Sequence, residues 1–237
     1  MSIRSVIPTM REPTDPLGRR LAAETRSLAQ QVDPDGIRRA PLKDGRAVII
    51  RPVEPEDKPL LAQAYARLSP DSRRRRFLAA PNRLTEEDLR YLTEIDHKRH
   101  EAMAAIDPET GEMVGVARYV QVPGDREAAE VAAAVIDDWQ GRGVGTQVLV
   151  ALTDRARENG VRRFTAVVSL DNRPVRATLD QLAGSSHRSG NEIEYAIELP
   201  SPGVPSRGLP ERLRAALRSA ASGQLSLLAR VVRRLPL

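Results

Sequence analysis

The sequence predicts a mixed α/β fold in which helices flank one sheet. Strand-length apolar runs alternate with helix-length segments between residues 46 and 199, and clusters of Gly, Pro, Asn and Asp separate them. Residues 128–152 combine these signals, because they read as a strand, a tight glycine turn and an amphipathic helix.

Caps and breakers place the elements in chain order. Asp15-Pro16 is a cap followed by a first-turn proline, so we expect an accessory helix over 15–32 before the breaker at 33–36. Further helices are predicted over 55–67, 70–78, 85–94, 144–159 and 173–183. Strands are predicted over 46–52, 101–106, 112–121, 128–136, 162–169 and 192–199. Residues 200–208 have the composition of a linker, and basic helices could follow over 209–220 and 224–235.

The helix over 144–159 has the clearest pattern. One apolar face repeats at helical spacing, and Asn159-Gly160 is a C-terminal stop signal. The members of this face are Val144, Val148, Leu149 and Leu152.

Three glycines, Gly141, Gly143 and Gly145, open this helix. Glycine lets the backbone approach a ligand closely, and the first-turn amides of a helix have no partner within the helix. Together with the positive helix end they predict an anion site, typically for a phosphate or pyrophosphate. No lysine follows as in a Walker loop, and the glycine spacing does not match the dinucleotide fingerprint.

The turn resembles the Q/R-x-x-G-x-G/A signature of the GNAT superfamily of N-acetyltransferases, here at Gln140, Gly143 and Gly145. The resemblance extends over residues 45–199 and is nearest to the bacterial Pat-type protein lysine acetyltransferases. The segments that carry it are residues 47–52, 54–57, 68–77, 113–118 and 129–132, with Asp96. It implies a GNAT-like mixed, mostly antiparallel central sheet flanked by helices, with extra N- and C-terminal segments.

Glu130 is the candidate general base. On a strand it shares one face with Ala132, Ala134 and Ile136, and a carboxylate beside small residues at a cleft suits proton removal from an ammonium. The resemblance gives an acid at this position the same role. The alternative interpretation is a surface carboxylate in a salt bridge.

The resemblance implies acetyl-CoA as cosubstrate and no metal. Backbone amides of the turn would hold the pyrophosphate, Arg142 would add charge at the mouth, and the pantetheine arm would lie along Val135 and Ile136. Asn172 matches a position near the cofactor, although it could equally be a helix cap. The full predicted cofactor set is Val135, Ile136, Gln140, Gly141, Arg142, Gly143, Val144, Gly145, Thr146 and Asn172.

The sequence departs from the family pattern in two places. The helix after Asn172 lacks the tyrosine that protonates the departing thiolate in many members, although a thiol with a pKa of about 8.5 can leave as the anion. Residues 185–190 are short and polar where the family has an aromatic residue and then a strand. The sequence therefore does not determine the shape of the acceptor pocket or the identity of the acceptor.

Charge and composition restrict the partners. The chain of 237 residues carries a net charge of +5, but residues 200–237 alone hold seven arginines and one acid, so the remainder is close to neutral. Aromatic residues make up 3%, which argues against single-stranded nucleic acid as the main ligand. The basic tail could associate with anionic surfaces. The absence of cysteine excludes disulfides and a cysteine nucleophile, and no apolar run approaches a membrane span, so we expect a cytoplasmic protein.

These observations predict three regions: an N-terminal extension over 1–44, an acetyltransferase domain over 45–199 and a basic tail over 200–237. The leading function is transfer of an acetyl group to a protein lysine, for example of an acyl-CoA synthetase, by direct attack in a ternary complex. Alternatives are a small-molecule amine acceptor, a GNAT-like fold that binds CoA or a partner without catalysis, and a DNA-associated protein. A homo-oligomer is also open.

Overall fold

The computed structural model describes residues 36–70, 83–170, 173, 176, 179–180 and 184–200. The helices predicted over 15–32, 209–220 and 224–235 lie outside these residues, as do almost all of 70–78 and most of 173–183. Asn172 and the arginine run 73–76 also lie outside them.

Eight strands form one sheet in the order β1-β2-β3-β4-β5-β6-β8-β7. The strands are β1 Arg38–Pro41, β2 Ala47–Pro52, β3 His100–Ile106, β4 Met113–Val122, β5 Asp125–Val135, β6 Arg163–Ser169, β7 Ser185–Ser189 and β8 Glu192–Glu198. Every neighbouring pair is antiparallel except β5 and β6, which are parallel. This confirms the mixed, mostly antiparallel sheet that the sequence predicts.

Three α-helices are described: α1 Lys58–Ala66, α2 Glu86–Thr93 and α3 Val144–Glu158. A short 3-10 turn, Pro55–Asp57, leads into α1. A capping box between Thr85 and Asp88 begins α2. The helix α3 ends at Asn159 and Gly160, as predicted, with Gly160 at φ +83°.

The two faces of the sheet are covered by different helices. Side chains alternate along each strand, so one face carries Met103 and Ala105 and packs on α3. The opposite face carries Ala102 and Ala104 and packs on α1 and α2, through Leu61, Leu89 and Leu92 among others. The predicted apolar face of α3, Val144, Val148, Leu149 and Leu152, is at most 2% exposed.

Two strands are additional to the prediction. The strand β1 pairs with β2 and lies within the segment assigned to the N-terminal extension. The polar segment Ser185–Ser189 pairs with β8 as an exposed edge strand. Neither has strand-like apolar alternation, so pairing with a well-formed neighbour decides its conformation.

Candidate functional site

The sheet opens between β5 and β6. These strands pair only at Ala128–Glu130 against Arg163–Thr165, although β5 continues to Val135 and β6 to Ser169. Beyond Glu130 each strand keeps its outer neighbour, β4 or β8, and loses the inner one. We call the opening between Val131–Val135 and residues 166–169 the strand gap.

Backbone polar groups of β5 line the strand gap. Ile136 donates its N–H to Val114 O at 3.1 Å, which fixes the alternation: even-numbered residues of β5 bond toward β4 and odd-numbered ones point toward β6. The N–H and C=O of Ala133 therefore face the gap. A ligand in extended conformation could bond to this edge as a strand would.

Glu130 lies at the closed end of the strand gap. It stands in the last pair before the strands diverge, opposite Val120 on β4 and Thr165 on β6, and it is half-buried. Paired residues share a face, so the Thr165 side chain lies beside it. Within the described residues, the buried Thr165 Oγ1 has no hydrogen-bond partner.

The glycine turn, Gln140–Gly145, lies at the open end of the strand gap. Gly141 has φ +75° and Gly143 has φ +102°, and both values disfavour any residue with a side chain. Gly143 is the N-cap of α3. The first hydrogen bond of the helix runs from Gln147 N to Gly143 O at 3.1 Å. The amides of Val144, Gly145 and Thr146 precede that bond, so they have no partner within the helix.

Two side chains support the shape of the turn. Gln140 Nε2 donates to Val135 O at 3.1 Å and to Asp137 Oδ1 at 2.8 Å, so this side chain bonds back to the end of β5. Arg142 Nη1 donates to Asp44 Oδ2 at 2.9 Å, and Lys43 N donates to Arg142 O at 3.0 Å. Arg142 is therefore partly neutralised by the β1–β2 hairpin.

Trp139 packs beside the turn and is 6% exposed. The guanidinium carbons of Arg46 and Arg142 lie 4.3 Å and 5.7 Å from its ring centroid. Thr146 adds a buried Oγ1 with no partner among the described residues, in the first turn of α3. These positions hold the amide-bearing end of α3 next to Val135 and Ile136.

An apolar pocket covers the Glu130 face of β5, between the sheet and α1 and α2. Its lining consists of Leu61, Ala64, Tyr65, Leu68, Leu84, Leu92, Gly115, Val116, Arg118, Ala132, Ala133, Ala134 and Ile136. We call it the Arg118 pocket, because Arg118 is the one charged group that the described residues contribute to this lining. It borders the β5 residues that also flank the strand gap.

Arg118 is 4% exposed, and its Nη1 donates to Leu92 O and to His100 Nε2, each at 3.1 Å. Burial lowers the pKa of Arg118 to about 10, so the group stays cationic near neutral pH. Burial and the charge of Arg118 lower the pKa of His100 to about 3, which leaves that ring neutral. The pocket therefore holds a net positive charge.

Sequence reasoning missed Gly115 and Arg118. Both lie in residues 113–118, and a charged residue within this otherwise apolar strand could have indicated a buried functional side chain. Gly115 permits close packing, because a Cβ there would lie 2.8 Å from Val144 Cγ1 at the start of α3.

Replacing Gly115 with Ala is expected to lower the free energy of unfolding by about 1–3 kcal/mol through overpacking against Val144. Urea unfolding of Gly115→Ala, Val144→Ala and the double variant measures this. In the double variant the added methyl group has space, so we expect a favourable coupling of at least about 0.5 kcal/mol. Strictly additive losses would contradict the contact.

The described ranges have two further properties, which concern metal sites and membrane spans. They contain no group of three or more His, Cys, Asp or Glu arranged to hold a metal ion. No helix among them is both long and apolar enough to cross a bilayer.

Comparison with known proteins agrees with this geometry. The family model for the acetyltransferase (GNAT) domain matches residues 47–183. The acetyltransferase PA5475 of Pseudomonas aeruginosa is 37% identical over 137 residues, which cover 57% of this chain and 73% of that protein. Acetyltransferase Pat of Mycolicibacterium smegmatis is 33% identical over 141 residues, which cover 60% of this chain and 42% of Pat.

Among solved structures, the GNAT domain of S. lividans PAT superposes with a TM-score of 0.63 at 29% identity, covering 69% of this chain and 97% of that domain. A cAMP-binding acyltransferase from Mycobacterium smegmatis matches with a TM-score of 0.51 at 28% identity, covering 87% of this chain and 59% of that one. The match thus spans less than two thirds of the longer mycobacterial proteins. The chain belongs to the GNAT family of acetyltransferases, and Pat-type proteins are among its relatives.

Proposed function

We propose that this N-acetyltransferase uses acetyl-CoA and transfers the acetyl group to the side-chain amine of a protein lysine. The observation that carries the proposal is the strand gap, which has a carboxylate at its closed end and the helix amides of the glycine turn at its open end. An elongated cosubstrate with a pyrophosphate at one end and a thioester at the other fits this polarity.

Binding would begin at the glycine turn. The amides of Val144, Gly145 and Thr146 and the positive end of α3 suit a pyrophosphate, and the buried Thr146 Oγ1 offers a further hydrogen bond. Arg142 contributes less than an isolated arginine would, because Asp44 already pairs with it. The pantetheine arm would then run past Ile136 and Val135 and bond to the open edge of β5 at Ala133.

Direct attack suits the residues that are present. Glu130 takes a proton from the acceptor ammonium, directly or through a water, and the amine nitrogen attacks the thioester carbon. The carbon–sulfur bond breaks, CoA leaves as the thiolate, and the second proton that the nitrogen loses as the amide forms passes to this thiolate, directly or through water. Thr165, beside Glu130 with an unpartnered buried Oγ1 among the described residues, could hold that water or the amine.

The protein-lysine acceptor rests on the resemblance of the glycine turn and its flanks to Pat-type enzymes. This resemblance favours an acyl-CoA synthetase as the protein substrate, and we propose that the protein acts in the cytoplasm. We further propose that the chain divides into 1–44, 45–199 and 200–237, and that Asn172, outside the described part of the chain, contacts the cofactor.

Calorimetric binding of acetyl-CoA tests the cosubstrate, with two glycine variants as a matched pair. Gly141 and Gly124 both have positive φ, +75° and +84°, and a Cβ at either would have no neighbour within 4 Å. A glutamate at either position therefore imposes similar strain, but only Gly141→Glu places a charge at the proposed pyrophosphate site. We expect about 100-fold weaker binding for Gly141→Glu.

Gly124→Glu, in the distant β4–β5 connection, should bind acetyl-CoA like the wild type. Equal affinities in all three proteins would contradict the pyrophosphate assignment. Lack of binding by folded wild type would contradict acetyl-CoA as cosubstrate, and binding without turnover on amines and lysine-containing proteins would contradict the catalytic proposal.

A further inference from the structure

Arg118 is a buried cation whose charge has no carboxylate partner among the described residues. It lies in the middle of β4, opposite Ala102 on β3 and Ala132 on β5. Among the described residues, both of its hydrogen bonds use Nη1, and their acceptors, Leu92 O and His100 Nε2, are uncharged. A buried charge without a counter-ion is unfavourable by several kcal/mol in general, so an anion would be stabilised strongly here.

The surroundings of Arg118 restrict what that anion can be. Among the described residues, the others that line the Arg118 pocket carry no charge, and most of them are aliphatic. A ligand that fills the pocket must therefore combine an apolar body with one negative end. The ammonium group of an acceptor lysine would be repelled by Arg118, so the pocket does not suit the acceptor amine.

The pocket connects to the proposed path of the cosubstrate. Ala133 and Ile136 belong to both, and the neighbouring Ala132 and Ala134 leave little side-chain volume between the strand gap and Arg118. Neighbouring strands lie about 4.8 Å apart, so a short acyl chain that crosses β5 reaches the strand that carries Arg118. An acetyl group is too short to make that contact.

We propose that the Arg118 pocket accepts the acyl group of a CoA thioester that ends in a carboxylate, such as succinyl or malonyl, and that Arg118 binds this carboxylate. The inference rests on the proposed function, because it needs a CoA thioester in the strand gap. In the transfer, the ammonium gives one proton to Glu130, the amine nitrogen bonds to the thioester carbon, the carbon–sulfur bond breaks, and the departing CoA thiolate takes up the second proton that the nitrogen loses. The far carboxylate is unchanged, so the product carries a negative charge where the acceptor had a positive one.

The test compares succinyl-CoA with butyryl-CoA, which has the same four-carbon chain without the second carboxylate, and with acetyl-CoA. Calorimetry on the wild type should show succinyl-CoA binding at least about ten-fold more tightly than butyryl-CoA, since a charge-assisted hydrogen-bonded pair contributes at least that ratio. Arg118→Met keeps an unbranched side chain without the charge and should reverse this preference. Arg118→Lys should retain part of it.

Two comparisons separate binding from folding. Arg99→Met removes an exposed arginine and should leave all three affinities unchanged, which controls for net charge. Acetyl-CoA affinity should be unchanged in Arg118→Met, because acetyl does not reach Arg118. If the Arg118 variants do not fold, the ratio of the wild-type affinities for succinyl-CoA and butyryl-CoA tests the inference by itself.

A wild type that binds acetyl-CoA and prefers butyryl-CoA to succinyl-CoA would overturn this inference and leave the proposed function intact. A ratio unaffected by a folded Arg118→Met would overturn the role of Arg118. If none of the three thioesters binds, both the inference and the proposed function fail.

Discussion

Glu130→Gln is expected to lower kcat by about 10²–10⁴-fold while acetyl-CoA binding stays unchanged. Glutamine keeps the size of the side chain and its place in the pair with Val120 and Thr165, but it cannot accept the proton of the ammonium. Steady-state kinetics with a lysine peptide or protein, together with calorimetry, measures both quantities. An effect on kcat without an effect on binding would indicate a role in chemistry.

The pH dependence sharpens this prediction. A free lysine amine has a pKa of about 10.4, so its deprotonated fraction rises about ten-fold per pH unit between pH 7 and 9. Without a protein base, the rate of Glu130→Gln should follow that fraction, and the defect relative to wild type should shrink as pH rises. Glu127→Gln, an exposed carboxylate on the same strand, is the control and should behave as wild type. A pH-independent defect would contradict the base assignment.

Glu101→Ala is expected to lower the free energy of unfolding by about 3 kcal/mol. Glu101 is fully buried and accepts three hydrogen bonds: from His97 Nδ1 at 2.9 Å, Ala102 N at 2.9 Å and Arg155 Nε at 3.2 Å. Breaking a buried pair costs about 3–5 kcal/mol, and the lower end applies because the Arg155 side chain keeps 37% of its exposure to water.

Glu158→Ala is the matched control, because Glu158 binds the same arginine at 3.1 Å from a position that is 62% exposed. An exposed pair of this kind contributes at most about 1 kcal/mol. Urea unfolding of both variants, with the slope checked against wild type, gives the two values. Equal losses would contradict a larger contribution from the buried hydrogen bonds of Glu101.

Local sequence patterns predicted the parts of the fold that bury apolar side chains. The helix α3 lies where the spacing of Val144, Val148, Leu149 and Leu152 places it, and the strands from 47 to 135 were predicted within a few residues. The edge strand Ser185–Ser189 could not be predicted, because its polar side chains are all exposed and only its pairing with β8 defines it.

The candidate site likewise has parts that local sequence patterns predict and parts that they do not. The glycine turn is a local pattern, so the sequence predicted a phosphate-binding helix start there, and it placed Glu130 on the correct strand. The pairing of Arg142 with Asp44 and the position of Arg118 beneath α2 depend on residues far apart in the chain. No periodicity in one segment could have revealed them.

The strand gap has a consequence for how the protein responds to its ligand. Two blocks of the sheet, β1 to β5 and β6 to β8, meet at one end of the β5–β6 seam, where three residue pairs at Ala128–Glu130 are extended by the hydrogen bond from Arg162 N to Glu127 O and the Arg163–Asp125 ion pair. A molecule hydrogen-bonded along the open edge of β5 would occupy the region where β5 and β6 do not pair, and it would add contacts between the two blocks. Saturation at 100 times the dissociation constant would then raise the unfolding free energy by about 2.7 kcal/mol. Amide exchange at Ala133 would report that closure directly, residue by residue.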